Sequence, residues 1–396
     1  MILIALAFFL ISPTISLPFS LYGMIYLKKD SKKFLFLFAL AIAMISIHLQ
    51  PLITDDGTRV LDIITKYSYI DFKQLLLVDK LYREPITHLL FFLVGKTGIP
   101  KLIFSISAFF QFYLLLYVVI DYSNSINAKI ASRAQAILIV LCYQTFFPCI
   151  CSFRYYTATA ICLFSWYILC MKNKKVTGVI LSILACLIHS SYYMQLIVLI
   201  VTFIPWIKAK GYRWIRIGLM AWAFMSGFIV KWLNKYSYYL FEVSSEKLTI
   251  YSQAGVSRGY VSVIINICGF VMCFLFIYMA CRKIRDKQVL LERNKAFRYY
   301  DLLCNYMFFC IGSIVYLAIF IRVQQMAVLA SVIPILMYSL QKQRNTVPLL
   351  IQNSLIFMAT MTGFFYSIRI VPPQFDISLG ELLVENVVSF ILKLLY

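Results

Sequence analysis

Apolar runs close to ~18 residues long recur about a dozen times along this chain, separated by short Lys/Arg-rich loops, and they leave it few ways to fold. Backbone N–H and C=O groups cannot stay unpaired in lipid, so runs of this length must be helices or strands of a closed barrel. The runs are continuously apolar rather than alternating, which excludes a barrel. The pattern predicts an all-α protein, a polytopic integral membrane helical bundle of about 12 transmembrane helices. No internal repeat, linker or soluble segment interrupts the pattern, so 1–396 reads as one transmembrane domain.

The formal net charge is +21, from 37 Lys and Arg against 16 Asp and Glu. Such an excess can serve nucleic acid, but its placement argues against that partner. The basic residues gather in short loops between apolar runs. They sit at Lys28, Lys29, Lys32 and Lys33, at Lys172, Lys174 and Lys175, and most densely over 282–298. Short loops rich in Lys and Arg mark the cytoplasmic side of a membrane protein. The first apolar run lacks a basic leader and a small-residue cleavage pattern, and reads as a retained span distorted by Pro13 and Pro18. The 11 cysteines fall mostly inside apolar runs, without CxxC pairs or histidines at ligand spacing. They read as small buried hydrophobes, and no metal or cofactor is implied.

With the basic loops inside, the chain traces a consistent path. Spans at 1–27 and 34–53 bring a polar segment, 54–84, to the outer side. The stretch from Pro85 to Gly98 holds only about ten apolar residues and reads as a re-entrant or interfacial helix near 85–98. Further spans follow at 101–120, 134–150, 154–171, 176–190, 191–207, 213–233, 260–281, 300–321, 323–341 and 347–368. Outer loops then occupy 54–100 and 234–259, and 282–298 is a basic cytoplasmic loop. Most of the acids lie on the outer side of this path, and 377–396 reads as an interfacial helix.

The same path gathers isolated ionisable residues at one membrane depth. Arg154 begins a span on the outer side and His189 ends one there; Arg322 falls between two outer helix ends, and Arg258 closes the second outer loop. Charges at such depth are costly and usually face a cavity or a partner. Arginine is always protonated and offers a planar fork of donors suited to phosphate. Arg154, Arg258 and Arg322 are therefore candidates for binding a pyrophosphate head group. Asp55, Asp56 and Glu84 are candidate general bases or acids, and so is His189. Each has a plainer reading. The arginines can snorkel to lipid phosphates, Asp55 or Asp56 can cap the helix that follows, and Glu84 can pair with Lys80 or Arg83. His48 and His88 read as structural.

In this order, the residues resemble the EpsG-like branch of the Wzy-type polysaccharide polymerases. The resemblance rests on TDDGTR after the second span, the EP pair of REPITHLL, Arg154 in FRYYTATA, His189 in CLIHSS and Arg322 in FIRVQQ. It extends over about residues 40–370. It implies polymerisation of oligosaccharide repeat units carried on undecaprenyl pyrophosphate, at the outer face of a bacterial cytoplasmic membrane, without a metal. Arg154, Arg258 and Arg322 would neutralise pyrophosphate, while one of Asp55, Asp56, Glu84 or His189 activates the acceptor hydroxyl. The implied partners are the lipid-linked oligosaccharide, membrane lipids, a flippase and a chain-length regulator. Three competing readings predict different behaviour. A lipid-linked sugar transporter would show internal repeats and midplane charges, a polyprenyl-phosphate-sugar glycosyltransferase would favour Asp55 or Asp56 as base, and a non-catalytic assembly partner would tolerate charge changes.

Overall fold

The computed structural model describes residues 1–51, 56–78, 84–203, 214–225, 260–286, 290–315, 317–338, 346–369 and 375–390. Among them every extended regular element is a helix, and Leu49 pairs with Phe375 in an isolated antiparallel bridge. Two compact units form: Met1–Tyr193 with Tyr366–Tyr396, and Met194–Phe365.

In the first unit, helices α10 (Phe153–Cys170) and α11 (Lys175–Ile188) show what environment these sequences suit. On α11, Gly178, Ser182, Ala185 and Cys186 are buried, whereas Val176, Val179, Ile180 and Ile183 are 43–74% exposed. Both sets recur at spacings of three and four, so each is a stripe along the helix. Small residues face the neighbouring helix and branched apolar residues face outward, which is the arrangement of helices packed in lipid. Ser165 Oγ closes the small-residue seam by donating to the Gly178 carbonyl at 2.6 Å.

Among the described residues two helices are long and apolar enough to cross a membrane, Leu102–Ser125 (α7) and Ile319–Tyr338, and shorter apolar helices of 10–17 residues accompany them. Two expected spans are broken. The run at 1–27 divides at Ser12, in extended conformation, into α1 (Ile2–Ile11) and α2 (Pro13–Tyr26), with Pro13 in the first turn. The Phe8 and Phe19 rings stack with centroids 4.2 Å apart; an unbroken helix would hold those residues ~16 Å apart. The run therefore doubles back instead of crossing as one rod. The run at 134–150 stops at Gln144, between α8 (Ile130–Tyr143) and α9 (Phe146–Cys151). Gln144 donates to Gln111 Oε1 at 2.7 Å, and Gln111 in turn donates to the Cys149 carbonyl at 3.2 Å. Buried amides thus satisfy backbone groups that the break sets free.

The end of α7 is tied to the segments bearing the basic loops. Asp121 meets Lys32 and Lys172, each at 2.6 Å, and accepts from the Tyr167 hydroxyl at 2.6 Å. Arg133, only 1% exposed, donates to Ser123 Oγ, the Met24 carbonyl and Asn124 Oδ1.

The second unit includes α12 (Tyr193–Phe203), most of which lies in it, and the helices Trp214–Met225, Tyr260–Asp286, Leu290–Gly312 and Leu317–Ala330. Polar links run through its interior. Asn305 donates to Thr202 at 2.9 Å, Gln324 to Asn266 at 2.8 Å, and Arg216 reaches Asn305 and Asp301. Two expectations change here. The basic stretch 282–298 is largely helical, formed by the ends of Tyr260–Asp286 and Leu290–Gly312, with 287–289 outside the described residues. Arg322 does not sit between two spans: it lies inside Leu317–Ala330, because the preceding helix ends earlier, at Gly312.

Candidate functional site

Two short helices in the first unit carry the acids. Helix α4 (Asp56–Ser68) buries Gly57, Val60, Ile64 and Tyr67, at spacings of three and four, and exposes Arg59, Asp62 and Lys66. This amphipathic pattern suits a helix lying on the molecule rather than one crossing lipid. Helix α6 (Pro85–Lys96) has Pro85 in its first turn, where its fixed φ and missing N–H are tolerated. Its length of ~18 Å falls short of a ~30 Å hydrocarbon core, in keeping with the short helix expected over 85–98.

The two helices lie side by side and run the same way. A Cβ on Gly95 would stand 2.7 Å from the Ile64 carbonyl oxygen, so only glycine admits this close approach. Lys96 Nζ donates to the Ser68 carbonyl at 2.9 Å, and the Tyr67 hydroxyl meets His88 Nδ1 at 2.8 Å. Burial pushes the Tyr67 phenol up from its ordinary pKa, so it stays protonated beside His88. His88, read from sequence as structural, is 4% exposed.

Because α4 and α6 are parallel, their N-terminal ends open toward the same point. Arg154, in the first turn of α10, fills it. Its Nη2 donates to both Asp56 oxygens, at 2.9 and 3.2 Å, and its Nη1 donates to Glu84 Oε2 at 3.0 Å. Helix N-termini favour the negative charge placed on them. Glu84 is the more enclosed acid, its side chain 8% exposed against 30% for Asp56. Ser190 holds the second Glu84 oxygen through its backbone N–H and its hydroxyl, each at 3.4 Å. The end of α11 is anchored there by Thr87, which donates to the Ile188 carbonyl at 2.7 Å. The Arg154 Nε is buried and has no hydrogen-bond partner among the described residues.

His189 caps α11 in extended conformation, its ring edge-on to Tyr155 and Tyr192 at centroid distances of 5.6 and 6.3 Å. The Ser191 N–H donates to Nδ1 at 3.3 Å and the Ser191 hydroxyl lies 2.8 Å away. A neutral imidazole has one lone pair for accepting a proton: in the tautomer that accepts at Nδ1 it faces Ser191, and in the other it stands at Nε2.

Of the residues singled out by sequence, Asp56, Glu84 and Arg154 are in direct contact, and His189 flanks them through Ser190 and Tyr155. Asp55 and Arg258 lie outside the described residues. Arg322 belongs to the second unit. Among the described residues no group of three or more His, Cys, Asp or Glu is placed to hold a metal ion. Ser190 and Thr87 were not singled out for the roles they take. Their only signal is position, next to His189 and just after Glu84.

The family profile described as EpsG family matches residues 60–375, most of the chain. The chain belongs to the EpsG family. This is a family of Wzy-like polysaccharide polymerases, so the chain is a membrane protein of polysaccharide biosynthesis. No curated protein and no solved structure shows a match to it. The EpsG match takes in Glu84, Arg154, His189 and Arg322, and begins just after Asp56.

Proposed function

We propose that Asp56, Glu84 and Arg154 form the acceptor side of a glycan-transfer site that joins lipid-linked repeat units at the outer face of a bacterial cytoplasmic membrane. The convergence of two acids and one arginine, from segments up to 98 residues apart, carries this reading.

In the transfer, a carboxylate takes the proton of an acceptor sugar hydroxyl, and the freed oxygen attacks the anomeric carbon of the donor glycan. The bond from that carbon to the lipid pyrophosphate breaks, and undecaprenyl pyrophosphate leaves with the electron pair. Asp56 is the better-placed base, because it is the more open of the two acids. Glu84, held on both oxygens, fixes Arg154 and Ser190 around it. His189, which flanks the trio, stays a candidate base.

Arg154 takes a different part from the one its position in sequence suggests. With both carboxylates ionised, the trio carries a net negative charge and disfavours pyrophosphate at this point. Arg154 instead holds the two acids aligned. Arg258 and Arg322 stay candidates for the leaving pyrophosphate on their chemistry. The lipid-linked oligosaccharide is the proposed partner, with a flippase supplying it and a chain-length regulator acting on the product.

Asp56→Asn and Glu84→Gln test the reading in cells that make the polymer. Loss of a general base lowers rates by about 10²–10⁴-fold, so single repeat units should replace the ladder of longer chains while the protein stays in the membrane. Full-length polymer from both variants refutes the assignment.

A further inference from the structure

Just outside the family-matched residues, the two ends of the first unit meet in a second charged cluster. His48, just past the end of α3 (Ser31–Ser46), is 6% exposed. Its Nδ1 lies 2.9 Å from Asp376 Oδ1, and its Nε2 lies 2.6 Å from Glu385 Oε2 as a close contact not aligned as a hydrogen bond. Lys101 Nζ holds the other Asp376 oxygen at 2.7 Å. Backbone contacts reinforce the join: the Asp376 N–H donates to the His48 carbonyl at 2.9 Å, and Leu49 bridges Phe375. Neighbouring segments thus grip His48 by its side chain and by its backbone.

Pro51, three residues past His48, touches the first turn of α4. Thr58 Oγ1, in the first turn of α4, donates to the Pro51 carbonyl at 3.3 Å. A Cβ on Gly57 would stand 2.9 Å from Pro51 Cβ and 3.5 Å from Cys151 Cα, so Pro51 is wedged against the residue that follows Asp56. Holding His48 therefore fixes Pro51, and Pro51 fixes the turn that aims Asp56 at Arg154.

We propose that His48 is a positioning residue for the transfer reaction, clamped by Asp376 and Glu385 so that the first turn of α4 presents Asp56 correctly. The proposal rests on the reading of Asp56 as the base. Misplacing a reacting group by ~1 Å can cost ~10²-fold in rate, so a clamp three residues before Pro51 has leverage on turnover. A merely structural histidine would lower the amount of folded protein and leave turnover per molecule unchanged.

The test uses the full chain in membranes, with lipid-linked repeat units extracted from producing cells that lack the polymerase as substrate. His48→Gln and Glu385→Gln should each lower kcat per folded molecule about tenfold and leave KM within about twofold, because the acceptor still binds but is poorly aimed. A second variant guards against poor folding. Leu49 and Phe375 pair across an antiparallel bridge, where Cα separations of ~4.5–5.5 Å are within disulfide reach. Leu49→Cys with Phe375→Cys in the His48→Gln background should recover kcat on oxidation, with each single cysteine as control. Unchanged kcat in His48→Gln and Glu385→Gln overturns the proposal, as does a loss explained by folded amount alone or one that the formed disulfide leaves uncorrected. Asp56→Asn is assayed in parallel. If it keeps full activity, the base assignment fails and the proposal with it; if it is inactive while His48→Gln turns over normally, only the positioning role fails.

Discussion

Removing the Arg154 guanidinium strips two carboxylates of their shared counter-charge, and the cost follows from how deeply each is placed. The Glu84 side chain is 8% exposed, so its arm of the trio behaves as a buried pair. Deleting one partner of a buried pair costs about 3–5 kcal/mol, because the other charge is left uncompensated. Asp56 is 30% exposed and Arg154 27%, so water screens that arm and its share is about 1 kcal/mol or less. Glu84 can escape part of the penalty by taking up a proton. Arg154→Ala should therefore destabilise the protein by about 3 kcal/mol, nearly all of it from Glu84.

This origin can be separated from loss of packing by a second substitution. Glu84→Gln in the Arg154→Ala background removes the stranded charge while keeping the shape of the side chain, so most of the loss should return. Thermal unfolding of the detergent-solubilised protein then gives a definite order: wild type highest, the double variant next, Arg154→Ala lowest. Neither variant should make polymer. Arg154→Lys should recover stability in part and polymer poorly, since a point charge cannot serve two carboxylates as a planar fork does. Equal midpoints for the single and double variants would show that Glu84 is not the stranded charge. A wild-type midpoint for Arg154→Ala would remove the basis for the trio altogether.

Three further outcomes are expected. Gly95→Ala places a Cβ 2.7 Å from the Ile64 carbonyl oxygen and 3.0 Å from the Ser68 nitrogen, both backbone atoms; parting α4 from α6 should cost about 1–3 kcal/mol in thermal stability and shorten the polymer. Burial opposes ionisation of Asp376, but hydrogen bonds from Lys101 and His48 outweigh it and hold the carboxyl below its ordinary 3.8. A depressed pKa adds stability above 3.8 that is lost as pH falls through the lower folded value. Asp376→Asn should thus be destabilising at neutral pH in melting curves, and its gap to wild type should close in strong acid. Asp62, on the exposed face of α4, gives the orientation test: Asp62→Cys should react with a membrane-impermeant maleimide added outside cells, and protection there reverses the proposed topology.

Much of the site was legible because apolar runs make charges conspicuous. Arg154 stood out at the head of a greasy helix, and Glu84 stood out before Pro85, a helix-starting signal. The extents of α10 and α11 follow the same logic, since polar residues sit where their apolar stretches end. The helix breaks were harder to read. Pro13 announced a distortion, but only the stacking of Phe8 on Phe19 shows that the chain doubles back. Gln144 is one amide in a long apolar run, and its significance depends on Gln111, 33 residues earlier. Arg322 was misplaced by a boundary error. The end of Leu290–Gly312 lies several residues before the expected end of that span, which puts the arginine within the next helix.

His48 shows why partners are harder to read than needs. A histidine near the end of an apolar run announces a polar group to be satisfied, and local sequence supplies nothing to satisfy it. Its nearest carboxylates arrive from Asp376, 328 residues away, and from Glu385. Glu84 shows how far along the chain a partner can lie: Arg154, 70 residues on, holds one of its oxygens, while Lys80 and Arg83 lie outside the described residues. The energetic demand for a partner is a property of one residue in its medium, and so it can be read along the chain. Which partner answers depends on which helix ends meet, here on the parallel course of α4 and α6, and that course is set by backbone approach at Gly95. The acids and Arg154 are therefore brought within reach of one another by helix packing that itself carries no charge. A packing change at Gly95 should consequently reach the chemistry at Asp56 without touching a single charged group.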